Sequence, residues 1–255
     1  MKNETEAKYG MRKAEAREML PSIDLFPQVQ HNGKQLDVSL FGPSTHNDNL
    51  AQMQKRYFHS KDLPNVTFRE LTTPESISVA VYDFENLAKP KIFDMNWLQA
   101  GRIVRTSEGV YANVPKDAQG EPITDEKILK QHLNDAQKIK VGNGHIYLGN
   151  NDFGFAEYET FERGVQDGDT FAQGGLARIL EHTPQVAANL KAIASPKNYK
   201  HGVDVWAFDP VDNPLLKVVG LGSSRNFGGS RCDFVGGFVF GGLVTGEASA
   251  QKINF

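Results

Sequence analysis

The chain has little cysteine, no long apolar run and no excess of positive charge, and each absence excludes a class of protein. Cys232 is the only cysteine in 255 residues, so neither an internal disulfide framework nor a cysteine-based zinc site can form. No stretch reaches the roughly 18 apolar residues expected of a membrane-spanning helix. A net charge of −3 and a pI near 6.2 give no overall attraction to nucleic acid or anionic membranes.

The first residues lack the apolar core of a signal peptide. Residues 1–20 are charged throughout and predict a helix from about Glu4 to Met19, which Pro21 ends. With no secretion or membrane signal, the sequence predicts a cytoplasmic protein. It leaves open whether the protein joins a virus particle.

A local absence marks the segment Val218–Gly246, which contains no Lys, Glu, Gln, Met or Trp. Those five types make up 53 of the 255 residues, so about six would be expected by chance in 29 positions. The segment holds nine of the chain's 24 glycines. Because glycine costs about 1 kcal/mol relative to Ala inside a helix, short strands joined by turns are predicted here. Small residues on loops carried by a scaffold are typical of binding sites.

Capped helices are predicted ahead of this segment. Thr73 is predicted as an N-cap before Pro74, with helical apolar spacing up to Pro90. A second helix is predicted from Thr124 to about Lys138, and Thr183-Pro184 begins a third. Inward positions of the second helix are Ile128, Leu129 and Leu133. A short helix is also predicted at Leu176–Glu181.

Strands are predicted where turn signals bound short apolar or alternating runs. They are Leu36–Phe41, Gly101–Thr106, Gly109–Val114, His145–Leu148, Val203–Phe208 and Leu215–Leu221. A turn is predicted at His31-Asn32-Gly33, ahead of the first of them, and a hairpin is predicted around Ser107-Glu108. The stretch Gly149–Phe171 is predicted as a loop whose aromatic residues anchor it to the core, namely Phe153, Phe155, Tyr158 and Phe161. No repeat or linker interrupts the pattern. Residues 1–255 are therefore predicted to form a single α+β domain.

Patterns typical of catalysis are weak in this chain. Gly220-x-Gly222 lacks the third glycine and the following helix of a dinucleotide-binding loop. His46-x-Asp48 has the spacing of two iron ligands, with His182 or His201 as a third, but Asp48 also fits a helix cap. The sequence thus predicts no enzyme, no cofactor and no metal. A small non-haem enzyme remains as an alternative.

Arg225 and Arg231 lie among glycines and offer another alternative, in which a Gly-rich loop binds the phosphates of a nucleic acid. The acidic net charge and the lack of a basic strand bearing aromatic residues argue against it. Cys232 fits a small buried hydrophobic residue.

The five missing residue types also have a genetic reading. If the two adenines of the Asn codons AAC and AAT are randomised, fifteen residue types can arise, and Lys, Glu, Gln, Met and Trp are not among them. In this respect Val218–Gly246 resembles the mutated repeat near the C-terminus of the variable proteins of diversity-generating retroelements. The order of elements is similar to the last strands of that family, although the closing FVFGGLV lacks the usual Gly-Phe-Arg. The corresponding strand, variable loop, Arg-led strand and closing strand are Leu215–Leu221, Gly222–Ser230, Arg231–Val235 and Phe238–Val244.

The resemblance implies a C-type-lectin fold of the formylglycine-generating-enzyme type, with helices packed on short antiparallel sheets. It implies a protein that binds another protein or macromolecule and has no catalytic role, since formylglycine chemistry needs two cysteines. The region 218–246 would carry the variable binding face. The residues that the resemblance assigns to ligand binding are Gly222, Ser223, Ser224, Arg225, Asn226, Phe227, Gly228, Asp233, Val235 and Phe238.

Overall fold

The computed structural model describes residues 22–44, 67–86, 97–180, 203–206, 208–222, 226–229 and 238–245. Within these ranges the chain forms both helices and strands, and the strands join in a single hydrogen-bonded sheet. Most pairings are antiparallel, which confirms the α+β prediction. Where several short sheets were expected, one extended sheet is found. The predicted helices at Glu4–Met19 and from Thr183 lie outside the described residues.

The described residues form thirteen strands, numbered here in chain order. They are β1 (Ser22–His31), β2 (Lys34–Ser44), β3 (Thr67–Glu70), β4 (Trp97–Arg105), β5 (Gly109–Ala112), β6 (Gln137–Val141), β7 (Gly144–Leu148), β8 (Gly154–Glu157), β9 (Gly164–Gln166), β10 (Val203–Trp206), β11 (Leu215–Gly222), β12 (Asn226–Gly229) and β13 (Phe238–Thr245). The helices are α1 (Thr73–Asn86), α2 (Glu126–His132), α3 (Gly168–Gln173) and α4 (Gly175–Leu180), with a 3-10 turn at Tyr158–Thr160.

The sheet is built around β4. Its main path is β6-β7-β8-β5-β4-β11-β12-β10-β9, and β13 joins β4 to β2 and β3, with β1 outside β2. The C-terminal half of β4 lies between β5 and β11, and its N-terminal half lies between β11 and β13. The predicted hairpin around Ser107-Glu108 and the predicted strands at Leu36–Phe41, His145–Leu148 and Leu215–Leu221 are confirmed.

Each face of the sheet carries its own apolar cluster, because side chains alternate along a strand. On one face Ile103 of β4 packs into the main core, together with residues of α1, α3 and α4. On the other face the neighbouring Val104 packs into a second cluster beneath α2. The second cluster consists of Val104, Tyr111, Val114, Leu129, Phe153 and Phe155.

The β1–β2 hairpin confirms the turn predicted at Asn32-Gly33. Both residues have positive φ, 48° and 75°, as a two-residue hairpin turn requires. Beside the turn, His31 Nδ1 lies 2.9 Å from Ser78 Oγ of α1. Burial lowers the pKa of His31, so the imidazole is neutral at pH 7. This contact attaches the β1–β2 hairpin to α1.

The N-cap of α1 is Thr72, so the prediction of Thr73 was wrong by one residue. Thr72 carries the first intrahelical bond, since its carbonyl accepts from Ser76 N at 2.9 Å. Thr72 Oγ1 accepts from Glu75 N at 3.3 Å, and Glu75 Oε2 accepts from Thr72 N at 2.9 Å. This reciprocal pair is a capping box. Thr73 is buried instead, and its hydroxyl donates to Asn113 Oδ1.

Glu75 also accepts two hydrogen bonds from the Arg69 guanidinium, at 2.7 and 2.5 Å. Burial acts to raise the pKa of Glu75, but the bonds from Arg69 and Thr72 outweigh it and keep the pKa below its ordinary 4.5. A carboxyl whose pKa is lower in the folded state stabilises the fold above its unfolded pKa, and this contribution disappears as the pH falls. The Arg69–Glu75 pair therefore stabilises α1 at neutral pH and not in acid.

We expect Glu75→Gln to lower the free energy of unfolding by about 1–2 kcal/mol at pH 7, because the amide can cap the helix but cannot pair with Arg69. Denaturant titrations at pH 7 and pH 3 should show a smaller difference from wild type in acid. Glu85→Gln, at an exposed position of the same helix, is the matched control. A difference for Glu75→Gln that is the same at both pH values would contradict the ion-pair explanation.

The second predicted helix is shorter than expected. α2 ends at His132, and Lys138 lies in β6, which forms a hairpin with β7 through Gly142 at φ 57°. Its N-cap is Asp125, whose side chain accepts from Lys127 N and Ile128 N, so Thr124 lies outside the helix. Of the predicted inward residues, Leu129 is fully buried and Leu133 packs on the second cluster, but Ile128 is 42% exposed.

The stretch Gly149–Phe171 contains β8, the 3-10 turn, β9 and the start of α3, so the loop prediction was wrong there. The prediction of anchoring aromatics is confirmed, since Phe153 and Phe155 are buried and Tyr158 and Phe161 pack on the main core. Tyr158 donates its hydroxyl to Thr106 O at 3.0 Å, and burial raises its pKa to about 12. The helix predicted at Leu176–Glu181 corresponds to α4. Across the described ranges, none of the helices has the length and apolarity to cross a membrane.

Candidate functional site

The glycine-rich C-terminal segment supplies three strands at the centre of the sheet. β11 pairs with β4 along nearly its whole length, β12 pairs with β11 and β10, and β13 pairs with β4, β2 and β3. Scaffold strands from earlier in the chain thus border the segment on both sides. The closing strand predicted at Phe238–Val244 is confirmed as β13.

Three residues of the predicted binding set lie in one row across the sheet. Phe238 pairs with Trp97, Trp97 with Gly222, and Gly222 with Asn226. Asn226 in turn pairs with Asp204 of β10. This Trp97 row, defined as Phe238, Trp97, Gly222, Asn226 and Asp204, crosses five strands at the point where β11 turns toward β12. Residues distant in the sequence are therefore neighbours here.

The next two rows of paired residues lie on opposite faces of the sheet, the first on the side of the main core. Phe227 pairs with Leu221 and with Val205, which is 1% exposed and belongs to the main core. One step further, Gly228 pairs with Gly220 and with Trp206. Because strand positions alternate between faces, the positions of the Trp97 row and of Gly228 belong to the face opposite the main core, and position 227 belongs to the core side.

The predicted variable loop Gly222–Ser230 was wrong in part. Asn226–Gly229 is a strand, β12, bonded on both edges, so only residues 223–225 connect it to β11. The alternation of apolar and polar side chains that predicts a strand is not visible here, because residues 228 and 229 are both glycine. The predicted ligand residues Ser223, Ser224, Arg225, Asp233 and Val235 lie outside the described residues. The same is true of Arg231, of Cys232 and of the candidate iron ligands His46, Asp48, His182 and His201.

A bulge in β4 sets the alignment of this row. Val218 pairs with Arg102 and Gly220 with Gln99, so Ala100 and Gly101 together oppose Val219. Gly101 has φ 124°, a backbone conformation that favours glycine. An added Cβ there would collide with Thr73 Oγ1 at the start of α1. The bulge thus couples the N-terminus of α1 to the register between β4 and β11. In the sequence, the bulge is indicated only by a single glycine within β4.

A cavity of about 260 Å³ adjoins this bulge, and the residues that line it include Gly101, Thr73, Arg102, Asn113 and Asp152. Asn113 donates to Asp152 O at 2.8 Å and receives the Thr73 hydroxyl. At the start of α1 the Glu75 carboxylate already accepts a hydrogen bond from Thr72 N, so this N–H group is not free to bind an anion. No group of three or more His, Cys, Asp or Glu side chains is placed to hold a metal within the ranges described.

Comparison with known proteins gives one structural likeness. No protein-family model matches the chain, and no curated protein matches its sequence. A solved structure described as "Accommodation of massive sequence variation in Nanoarchaeota by the C-type lectin fold" is similar, with a TM-score of 0.48 and 15% sequence identity. The similarity covers 84% of this chain and 100% of that chain.

Proposed function

We propose that this chain is a ligand-binding protein whose C-terminal segment, Val218–Gly246, provides a diversified binding face on a fixed scaffold. One observation carries the proposal: Gly222, Asn226 and Phe238 lie in a single row between scaffold strands. The face positions are Gly222, Asn226, Gly228 and Phe238, together with the connection 223–225. Position 227 lies one step along β12 from this row and pairs with the buried Val205, so it is left out of the proposed face.

The arrangement suits a surface that changes while the fold persists. The core side of β10 and β11 is well packed, since Val205 and Val219 are each at most 1% exposed. Buried framework residues carry most of the stability, whereas exposed substitutions usually change it by about 0.5 kcal/mol or less. We assign the Trp97 row to such exposed positions, which can vary without loss of the fold, as paratope residues do on an antibody domain.

The residue composition supports diversification by adenine mutagenesis. The absence of Lys, Glu, Gln, Met and Trp from Val218–Gly246 is what randomised Asn codons would leave. Gly, Ser and Asn provide adaptable hydrogen bonding, and an occasional aromatic or Arg provides the few contacts with large energies. The chain acts by binding a protein or other macromolecule in the cytoplasm and catalyses no reaction.

The proposal is tested with two display libraries of the full chain. In the first, six positions are varied over the fifteen adenine-accessible residue types: Gly222, Ser223, Ser224, Arg225, Asn226 and Phe238. In the control library, six exposed scaffold positions are varied over the same types: Ala118, Gln119, Glu121, Lys127, Gln131 and Asp135. Both are selected against immobilised streptavidin and lysozyme. Binders should come from the first library at a frequency at least tenfold higher, and equal frequencies would contradict the assigned face.

A further inference from the structure

The main path of the sheet ends at β6, and one side of this strand is unpaired. Among the described strands, β6 pairs only with β7. Gln137, Lys138 and Lys140 are exposed, which shows that solvent reaches the strand. A strand at the edge of a sheet presents backbone N–H and C=O groups with which another strand can pair. We call the unpaired side of residues 137–141 the β6 edge.

The hairpin between β6 and β7 determines which backbone groups face this edge. Its loop has two residues between Val141 and Gly144, and the first of them, Gly142, has φ 57°, as the usual two-residue hairpin turns require. Val141 and Gly144 therefore close the hairpin as a hydrogen-bonded pair, and such pairs occur at every second residue of an antiparallel ladder. The N–H and C=O groups of Lys138 and Lys140, which lie between these pairs, face the β6 edge.

The β6–β7 hairpin contains two lysines and no Asp or Glu, although the chain has a net charge of −3. Neither Lys138 nor Lys140 forms an ion pair with a described residue, and the Lys138 ammonium lies 5.4 Å from the Tyr147 ring centroid. On the neighbouring strand β8, the Glu157 carboxylate accepts a hydrogen bond from His145 N at 2.7 Å. The two lysines thus provide unpaired cations, two positions apart on the edge strand, that attract carboxylates at the same spacing.

The side chains of β6 alternate between the two faces of the sheet, so they specify a matching strand position by position. Ile139 and Val141 are half-buried and pack on the main core, and the two lysines are on the opposite face. Residues directly opposite each other on paired strands interact, favourably when their charges are opposite and unfavourably when they are alike. A matching strand therefore has acidic residues opposite the lysines and apolar residues opposite Ile139 and Val141.

The same lysines disfavour pairing of β6 with a second copy of itself. An antiparallel pair of β6 strands centred on Ile139 would place Lys138 of one copy opposite Lys140 of the other. Lysines on edge strands are one means by which natural sheets avoid such association. The repulsion acts on a basic strand and turns into attraction for an acidic one, so the charges distinguish between the two occupants.

We propose that the β6 edge binds an extended acidic segment of another polypeptide, which adds to the sheet as a further strand. Backbone hydrogen bonds to Lys138 and Lys140 give the affinity, and Asp or Glu residues opposite the two ammonium groups select the partner. The edge includes no residue of Val218–Gly246. This site is therefore separate from the proposed variable face, and either proposal can fail without the other.

The test is an NMR titration of the full chain with three blocked pentapeptides that differ only in charge. The acidic probe is Val-Glu-Val-Glu-Thr, the neutral control is Val-Gln-Val-Gln-Thr, and the basic control is Val-Lys-Val-Lys-Thr. The acidic peptide should shift the amide signals of β6 saturably, the neutral one should bind about fivefold more weakly, and the basic one should bind more weakly still. At saturation, exchange with water should slow at the amides of Lys138 and Lys140 and change little at those of Ile139 and Val141, which already bond to β7.

Charge reversal supplies the matched variants. The double variant Lys138→Glu/Lys140→Glu should bind the basic peptide in preference to the acidic one, by about fivefold. The control is Lys34→Glu/Lys127→Glu, which changes the net charge equally at two exposed positions outside β6 and should keep the preference of wild type.

Three results would overturn the proposal. The first is the absence of a saturable shift with the acidic peptide, or equal binding of all three peptides. The second is an unchanged preference in the Lys138→Glu/Lys140→Glu variant. The third is slowed exchange at Lys138 and Lys140 that rises with protein concentration without any peptide, which would assign the β6 edge to a second copy of the chain.

Discussion

Phe208→Ala is expected to lower the free energy of unfolding by about 3–5 kcal/mol, since removing a fully buried aromatic ring loses its burial and leaves a cavity. Phe208 is 0% exposed in the main core, and Phe161 meets it edge-on at 6.3 Å between ring centroids. For a domain of this size the loss corresponds to a fall in Tm of about 6–20 °C. Thermal unfolding followed by circular dichroism measures it directly.

The control for this prediction is Asn226, in the Trp97 row on the face opposite the main core. Asn226→Ser and Asn226→Asp, both adenine-accessible changes, should alter stability by about 0.5 kcal/mol or less. Val219→Ala, at a 0% exposed position of the adjacent strand, should resemble Phe208→Ala in direction. If the Asn226 variants unfolded as readily as Phe208→Ala, the C-terminal strands would be core on both faces and could not present a variable surface.

Gly101→Ala is expected to cost about 2–5 kcal/mol, which combines the strain of an L-residue at φ 124° with overpacking against Thr73. The effect should reach the candidate site, because Gly101 is part of the bulge that sets the pairing of β4 with β11. Amide hydrogen exchange in β11 and β12 should therefore accelerate in this variant.

Gly164→Ala separates the two causes. Gly164 also has a positive φ, 89°, but an added Cβ there meets nothing within 4 Å. Its cost should be about 1–2 kcal/mol, from backbone strain alone. Equal losses for the two variants would show that the contact with Thr73 does not matter, and the proposed coupling between α1 and the sheet would be abandoned.

Local signals in the sequence predicted several elements correctly. Asn32-Gly33 predicted a turn correctly, because few residues other than Asn and Gly adopt positive φ twice in succession. The strand β1 on the other side of this turn was not among the predicted strands. The Thr-x-x-Glu pattern of a capping box is present at Thr72 and Glu75, but Thr73-Pro74 led to an N-cap prediction one residue too late. The buried role of Thr73 depends on Asn113, which is 40 positions away and carries no local signal.

The second helix shows how tertiary pairing overrides local propensity. Residues 124–138 read as one helix because their apolar spacing is helical, yet the chain leaves the helix after His132 and enters β6. The reason is the hairpin through Gly142, which pairs Gln137–Val141 with β7. Strand pairing at the sheet edge is a non-local gain that a window of fifteen residues does not contain.

For the candidate site, composition located the segment but could not give its geometry. The missing residue types selected Val218–Gly246, and the structure adds that Gly222, Asn226 and Phe238 share a row through Trp97. No sequence pattern could show this, because the row depends on long-range register and on the bulge in β4.

The most direct test of the proposed function is the nucleotide sequence surrounding the gene. A diversified binding face requires a template repeat, so we expect a near-copy of the codons for Val218–Gly246 close by. It should differ from the gene almost only where the copy carries adenine, and those differences should include the codons of Asn226 and of residues 223–225. A genomic neighbourhood without such a repeat, or a repeat whose differences ignore adenines, would contradict the account and leave a fixed glycine-rich sheet.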